Sequence, residues 1–127
     1  MFLLDSDILI DVGRGYPPAQ QWLSVLPELP SVPSIVCMEL VAGCGNKTQL
    51  RQVQKLLSLY PVVGLREQDC LRALADFTHF YLSHNLGLTD ALIAATAVGQ
   101  GATLVTFNTK HFAVVPNLTT EQPYERS

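Results

Sequence analysis

The feature that most constrains this chain is its opening, Met1-Phe2-Leu3-Leu4-Asp5-Ser6-Asp7-Ile8-Leu9-Ile10-Asp11, an apolar run that ends abruptly in carboxylates. A short continuous apolar run suits a strand buried on both faces of a parallel sheet, and residues 2–4 form such a run. Asp5 then stands at the strand's carboxyl end, the edge where open α/β sheets bind ligands. Asp5, Ser6 or Asp7 could each cap the helix expected to begin at Ile8. They cannot all be the cap, so the remaining acid needs another reason to be there.

The rest of the chain alternates in the same way. Residues 8–12 read as a short helix stopped by Gly13 and Gly15, and Pro17-Pro18 opens a second one that ends at Pro27. A second strand is expected within 31–34, then a helix from about Ile35 to Gly43. Asn46 caps a helix running to about Leu59, and residues 60–64 read as a third strand. Glu67–His84 reads as a long amphipathic helix burying Cys70, Leu74, Phe77 and Tyr81. Residues 89–99 form a helix apolar nearly all round, with Thr89 its expected cap. Residues 102–106 read as a buried strand, 107–112 as a loop or helical turn, and a last strand lies within 113–120. This is one α/β domain over residues 1–127 with a largely parallel sheet.

Composition narrows the class. A chain of 127 residues that is 48% hydrophobic and 15% charged is no disordered segment, and it implies extensive burial or a partner surface. Cys37, Cys44 and Cys70 are odd in number and lack metal-type spacing, so they read as reduced core residues in a cytoplasmic setting. The apolar start lacks the basic flank and cleavage site of a signal peptide, and no run approaches the ~18 residues of a membrane span. The net charge of −3 does not advertise a polyanionic partner. Lys47, Arg51 and Lys55 nevertheless recur at four-residue spacing, which puts three cations on one helical stripe.

Four polar residues are expected at one edge of the sheet. Asp5 follows the first strand, and Glu39 lies in the apolar helix after the second. Asp90 opens the alanine-rich helix, and Asn108 follows the strand at 102–106. Glu39 is the only charged residue between Glu28 and Lys47. A lone buried carboxylate costs several kcal/mol, roughly, unless it is paired, hydrogen-bonded, protonated or metal-bound. Oxygen ligands converging without Lys or Arg partners describe a Mg²⁺ or Mn²⁺ site.

The segments that carry these residues are Leu3 to Asp11, Met38-Glu39-Leu40-Val41-Ala42-Gly43, Leu88-Thr89-Asp90-Ala91-Leu92-Ile93-Ala94-Ala95-Thr96-Ala97 and Leu104-Val105-Thr106-Phe107-Asn108-Thr109-Lys110-His111-Phe112. In order and spacing they resemble the PIN-domain nucleases, and most closely the VapC-type ribonuclease toxins of bacterial toxin–antitoxin pairs. The resemblance implies a PIN-like α/β/α domain whose acidic metal-site residues are Asp5, Glu39 and Asp90, with Thr106 and Asn108 in the fourth motif. Ser6 and Asp7 stand beside the first acid as supporting ligands or water-positioning groups. The pattern departs from the family at Asn108, where aspartate is often found, at His111, where an acid is frequent, and at Asp7, where asparagine is common. The resemblance further implies an RNA substrate, a homodimer and a small inhibitory antitoxin. Lys47, Arg51, Lys55 and Lys110 are the candidate RNA contacts.

The expected chemistry is metal-assisted phosphodiester hydrolysis. Three other readings compete with a toxin: a housekeeping PIN-type RNA nuclease, a haloacid-dehalogenase-like phosphatase suggested by Leu4-Asp5-Ser6-Asp7, and a non-catalytic protein-binding module. The phosphatase chemistry wants a later lysine near the phosphate, and the lysines here sit elsewhere. A binding module would have no need to keep all three acids.

Overall fold

The structure is a computed structural model, and it describes residues 1–126. Three short strands, β1 (Phe2–Leu4), β4 (Thr103–Val105) and β5 (Thr119–Glu121), form a parallel ladder in the order β1-β4-β5. β2 (Val32–Pro33) pairs in parallel with β3 (Val62–Val63). The two ladders join where the Leu4 amide donates to the Ser31 carbonyl at 3.0 Å and the Ser31 amide donates to the Phe2 carbonyl at 2.9 Å. The resulting order is β3-β2-β1-β4-β5. The chain adds strands outward on one side of β1, then crosses to the other side, so the strand order reverses between β1 and β4. At such a switch point the connections diverge and leave a crevice at the carboxyl ends of the strands.

Seven helices surround the sheet among the described residues: α1 (Ser6–Gly13), α2 (Pro17–Ser24), α3 (Ser34–Ala42), α4 (Lys47–Leu57), α5 (Glu67–His84), α6 (Leu88–Gln100) and α7 (Thr109–Phe112). The core joins Leu3 and Leu4 of β1 and Leu104 and Val105 of β4 to Ile8, Leu9, Val36, Ile93 and Phe112. Ala91, Ala94, Ala95 and Ala97 bring α6 close to β2, β4, α3 and α5. None of the described helices is long and apolar enough to cross a membrane.

Several expectations are corrected. α1 starts at Ser6, two residues early, because Asp5 is its cap. α6 is capped by Gly87 and not by Thr89. β5 reaches one residue beyond the expected window. The largest correction concerns α5, where Leu74 and Tyr81 are 62% and 51% exposed and Cys70 is also on the surface. The buried positions are Asp69 and Ala73. The alanine face of α6 admits only small or well-bonded side chains at close range, so Leu71, Leu74, Tyr81 and Leu82 turn outward while Phe77 and Phe80 pack half-buried at the edge of the core. Cys37 and Cys44 are half-buried, so the expectation of three core cysteines fails for Cys70 and holds only in part for the others.

Candidate metal-dependent active site

Asp5 sits at the switch point, 5% exposed, with both oxygens engaged. Oδ1 accepts the Ser6 amide at 2.8 Å, which makes Asp5 the helix cap, and Oδ2 accepts the Thr106 hydroxyl at 2.8 Å across the β1–β4 boundary. The capping reading and the site reading of Asp5 are therefore both satisfied, one by each oxygen. Burial, then the charge of Asp7, pushes the Asp5 carboxyl from the ordinary 3.8 up to about 6, against the pull of its two hydrogen bonds.

Asp7 braces the crevice. Its Oδ1 accepts the Ile8 amide and its Oδ2 the Phe107 amide, both at 2.9 Å, so it ties α1 to the segment after β4. Burial raises its pKa, and the two amides partly offset that. Thr106 in turn accepts the Asn108 amide at 3.0 Å. Thr106 is thus the side chain that reaches Asp5. The Asn108 side chain is exposed and bonds to none of the described residues. Ser6 contributes its backbone amide.

Glu39 projects from the middle of α3, and its Oε1 is enclosed with no hydrogen-bond partner. Burial first, then the charges of Asp5, Asp90 and Asp7, raise its pKa. α3 packs against both α1, which Asp5 caps, and α6, which carries Asp90. Asp90, the third residue of α6, accepts from or shares a proton with His111 Nε2 at 2.9 Å. The reading that no basic partner serves these acids therefore needs one amendment, since His111 faces Asp90. Among the described residues no Lys or Arg forms an ion pair with Asp5, Glu39 or Asp90. No three acidic, histidine or cysteine side chains among them already close on one point. An enclosed carboxylate oxygen without a protein partner, on a side chain that feels the charges of Asp5 and Asp90, has the donor chemistry of a ligand for a hard divalent cation.

The expected basic residues are all at the surface. Lys47, Arg51 and Lys55 are exposed along α4, which packs on α3, and Lys110 is exposed on α7.

The model of the PIN domain matches residues 2–118. The chain belongs to the PIN-domain family. Ribonuclease VapC10 of Mycobacterium tuberculosis is 37% identical over 120 residues, covering 93% of this chain and 90% of the relative. Ribonuclease VapC19 of the same organism is 33% identical, covering 98% and 100%. Among solved structures, a chain from a toxin–antitoxin complex of Klebsiella pneumoniae superposes with a TM-score of 0.79 at 31% identity, covering 99% of this PIN domain and all of the other.

Sequence reasoning missed two parts of this PIN domain. One is the Asp7 tie to Phe107. The other is the C-terminal segment, where the Tyr124 hydroxyl donates to Asp11 Oδ2 at 2.7 Å and Arg126 lies over the Phe107 ring. The only available signal was a pair of unexplained acids on α1, Asp7 and Asp11, in excess of the cap.

Proposed function

We propose that residues 1–127 act as a single nuclease domain, a Mg²⁺- or Mn²⁺-dependent endoribonuclease that hydrolyses RNA phosphodiester bonds as the toxin of a toxin–antitoxin pair. The observation that carries this reading is Glu39 Oε1, a buried carboxylate oxygen with no protein partner, on a side chain whose pKa is raised by burial and by the charges of Asp5 and Asp90. Asp5, Glu39 and Asp90 would hold the cation. Bound there, Mg²⁺ or Mn²⁺ supplies Lewis-acid charge to the scissile phosphate and the attacking water, and it offsets the repulsion of the three acids.

The protein's own groups do the rest. Thr106 and the Ser6 amide fix the Asp5 carboxylate, and His111 fixes Asp90, so neither must reorganise during reaction. Glu39 Oε1, which no protein group engages, is the oxygen that side chain would offer the cation. The names of the curated relatives support RNA as the substrate, and the Klebsiella neighbour supports a small antitoxin partner. A homodimer completes the reading, supported by the outward row Leu71, Leu74, Tyr81 and Leu82 on α5. A reducing, cytoplasmic setting accords with three free cysteines.

The test is cleavage of a mixed RNA pool by protein freed of any co-purifying inhibitor. Cleavage is expected with Mg²⁺ or Mn²⁺ and none in excess EDTA, and Asp5→Asn and Asp90→Asn should each lose at least about a hundredfold in rate. Full cleavage in EDTA would overturn the metal-dependent mechanism.

A further inference from the structure

Arg126 is placed with more care than a chain end requires. Its guanidinium carbon lies 3.9 Å from the centre of the Phe107 ring. Nε donates to Asp11 Oδ2 at 3.1 Å, and Nη2 approaches the same oxygen at 3.0 Å and donates to the Asp7 carbonyl at 3.3 Å. These contacts hold the guanidinium over the Phe107 ring. Nη1 bonds to none of the described residues, and the side chain is 44% exposed. Phe107 in turn directly follows Thr106, the partner of Asp5, and its amide is held by Asp7. The stack therefore borders the acidic crevice.

We infer that the Arg126–Phe107 stack is a nucleotide subsite of the ribonuclease, in which an unpaired base of the RNA lies on the outer face of the Arg126 guanidinium while Nη1 takes an adjacent phosphate. The inference rests on the endoribonuclease reading. Unpaired bases are held on aromatic rings and guanidinium planes, and a fixed planar donor with a free edge suits a phosphate oxygen. The location also answers an electrostatic problem. A polyanion must approach a pocket of carboxylates on a chain of net charge −3, and Arg126 supplies a cation at the rim without pairing with Asp5, Glu39 or Asp90. Tyr124 serves as the tether, since its hydroxyl on Asp11 and its ring 5.1 Å from Phe107 hold the segment down.

The experiment measures the affinity of fluorescent single-stranded RNA by anisotropy at several salt concentrations, with every variant in the Asp5→Asn background to prevent cleavage. Arg126→Ala is expected to weaken binding about tenfold and to lower the salt slope by about one. Arg126→Lys should keep the slope while recovering only part of the affinity, because it restores charge without a plane. Tyr124→Phe, which removes the hydroxyl tether, should fall between the parent and Arg126→Ala. The inference is overturned if Arg126→Ala binds within twofold of its parent, including the case in which Arg126 instead meets an acidic group of a protein partner. It is also overturned if Arg126→Lys recovers the full affinity, since a point charge would then suffice without a plane. If the wild type neither cleaves nor binds RNA, the endoribonuclease reading fails and takes the subsite with it. If it cleaves and Arg126→Ala still binds normally, the subsite alone fails.

Discussion

Asp69 and Asp5 are both carboxylates withdrawn from water, 0% and 5% exposed, and the molecule treats them in opposite ways. Asp69 lies near the start of α5, facing the end of α6, where Arg66 and Arg72 reach it at 3.3 and 3.5 Å and the Arg66 amide donates to it at 3.0 Å. Arg66 also donates to the Gly99 carbonyl, which binds the two helices together. Burial alone would raise the pKa of Asp69, but the bonds from Arg66 and the charges of Arg66 and Arg72 hold it below the ordinary range. Asp5, Glu39 and Asp90 gather around the other end of α6 with no guanidinium or ammonium partner, and the first two are pushed upward. One centre is electrostatically complete. The other has no guanidinium or ammonium partner among the described residues, and the proposed cation would complete it.

The sharpest way to break the complete centre is at Gly99. A Cβ there would overlap Asp69 Oδ1 and crowd the Arg66 guanidinium, so Gly99→Ala must displace the pair it seals. The expected loss is about 4 kcal/mol, combining overpacking with broken charge-assisted bonds, read from urea unfolding midpoints. A loss below about 1 kcal/mol would mean that the clamp adjusts freely. Asp69→Asn should cost less, about 2 to 3 kcal/mol, since the two arginines are partly exposed and water can take up their charge.

The open centre was the more legible of the two in the sequence. Asp5, Glu39 and Asp90 stand isolated in apolar surroundings, and an isolated acid is visible without coordinates. Asp69 sits between Arg66 and Arg72 at three-residue spacings, the pattern of an ordinary solvated helix surface, so nothing marked it as buried. The same masking reversed the face of α5. Periodicity favoured Leu74 and Tyr81 as core, whereas the alanine surface of α6 selected Ala73 and the clamped Asp69. The strands were found because continuous apolar runs are rare signals, but their joining through Ser31 depends on register, which hydropathy does not encode. Tyr124 and Arg126 were out of reach, since Tyr124 meets Asp11 across 113 residues from a polar segment without periodicity.

Acid titration sharpens the contrast, because the two centres respond with opposite sign. In metal-free protein, Asp5 in the folded chain keeps a proton up to about pH 6 that the unfolded chain releases near 3.8. Folding stability therefore falls as pH rises from about 4 to about 6, and the penalty persists above; the displacement corresponds to at most about 3 kcal/mol. Asp69 contributes stability that is present above its unfolded value and lost as pH falls through its lowered folded value. Urea midpoints in EDTA should show wild type losing stability relative to Asp5→Asn between pH 4.5 and 7, while Asp69→Asn flattens only the acid limb, read between pH 4.5 and about 3. Parallel pH profiles for wild type and Asp5→Asn would remove Asp5 as the source of the penalty.

Glu39→Gln carries the smallest expected change in stability and the most information about the open centre. If hydrogen bonds satisfied Glu39 within the core, the amide would mismatch them and cost about 1 to 3 kcal/mol. Its Oε1 has no such bond to lose, and the neighbouring charges raise the cost of ionising it. In EDTA the variant should therefore be neutral or more stable by about 1 kcal/mol, a modest figure because Glu39 is only half-buried and water screens part of the repulsion. Added Mg²⁺ should raise the melting temperature of the wild type by mass action, and the variant should lose most of that gain. Asp69→Asn supplies the control: although less stable throughout, it should keep the full Mg²⁺ response, since its carboxylate belongs to the completed pair at the far end of α6. A Glu39→Gln protein that is destabilised in EDTA yet gains as much from Mg²⁺ as the wild type would place Glu39 with Asp69, among the acids that serve the fold, and leave Asp5 and Asp90 to hold the ion.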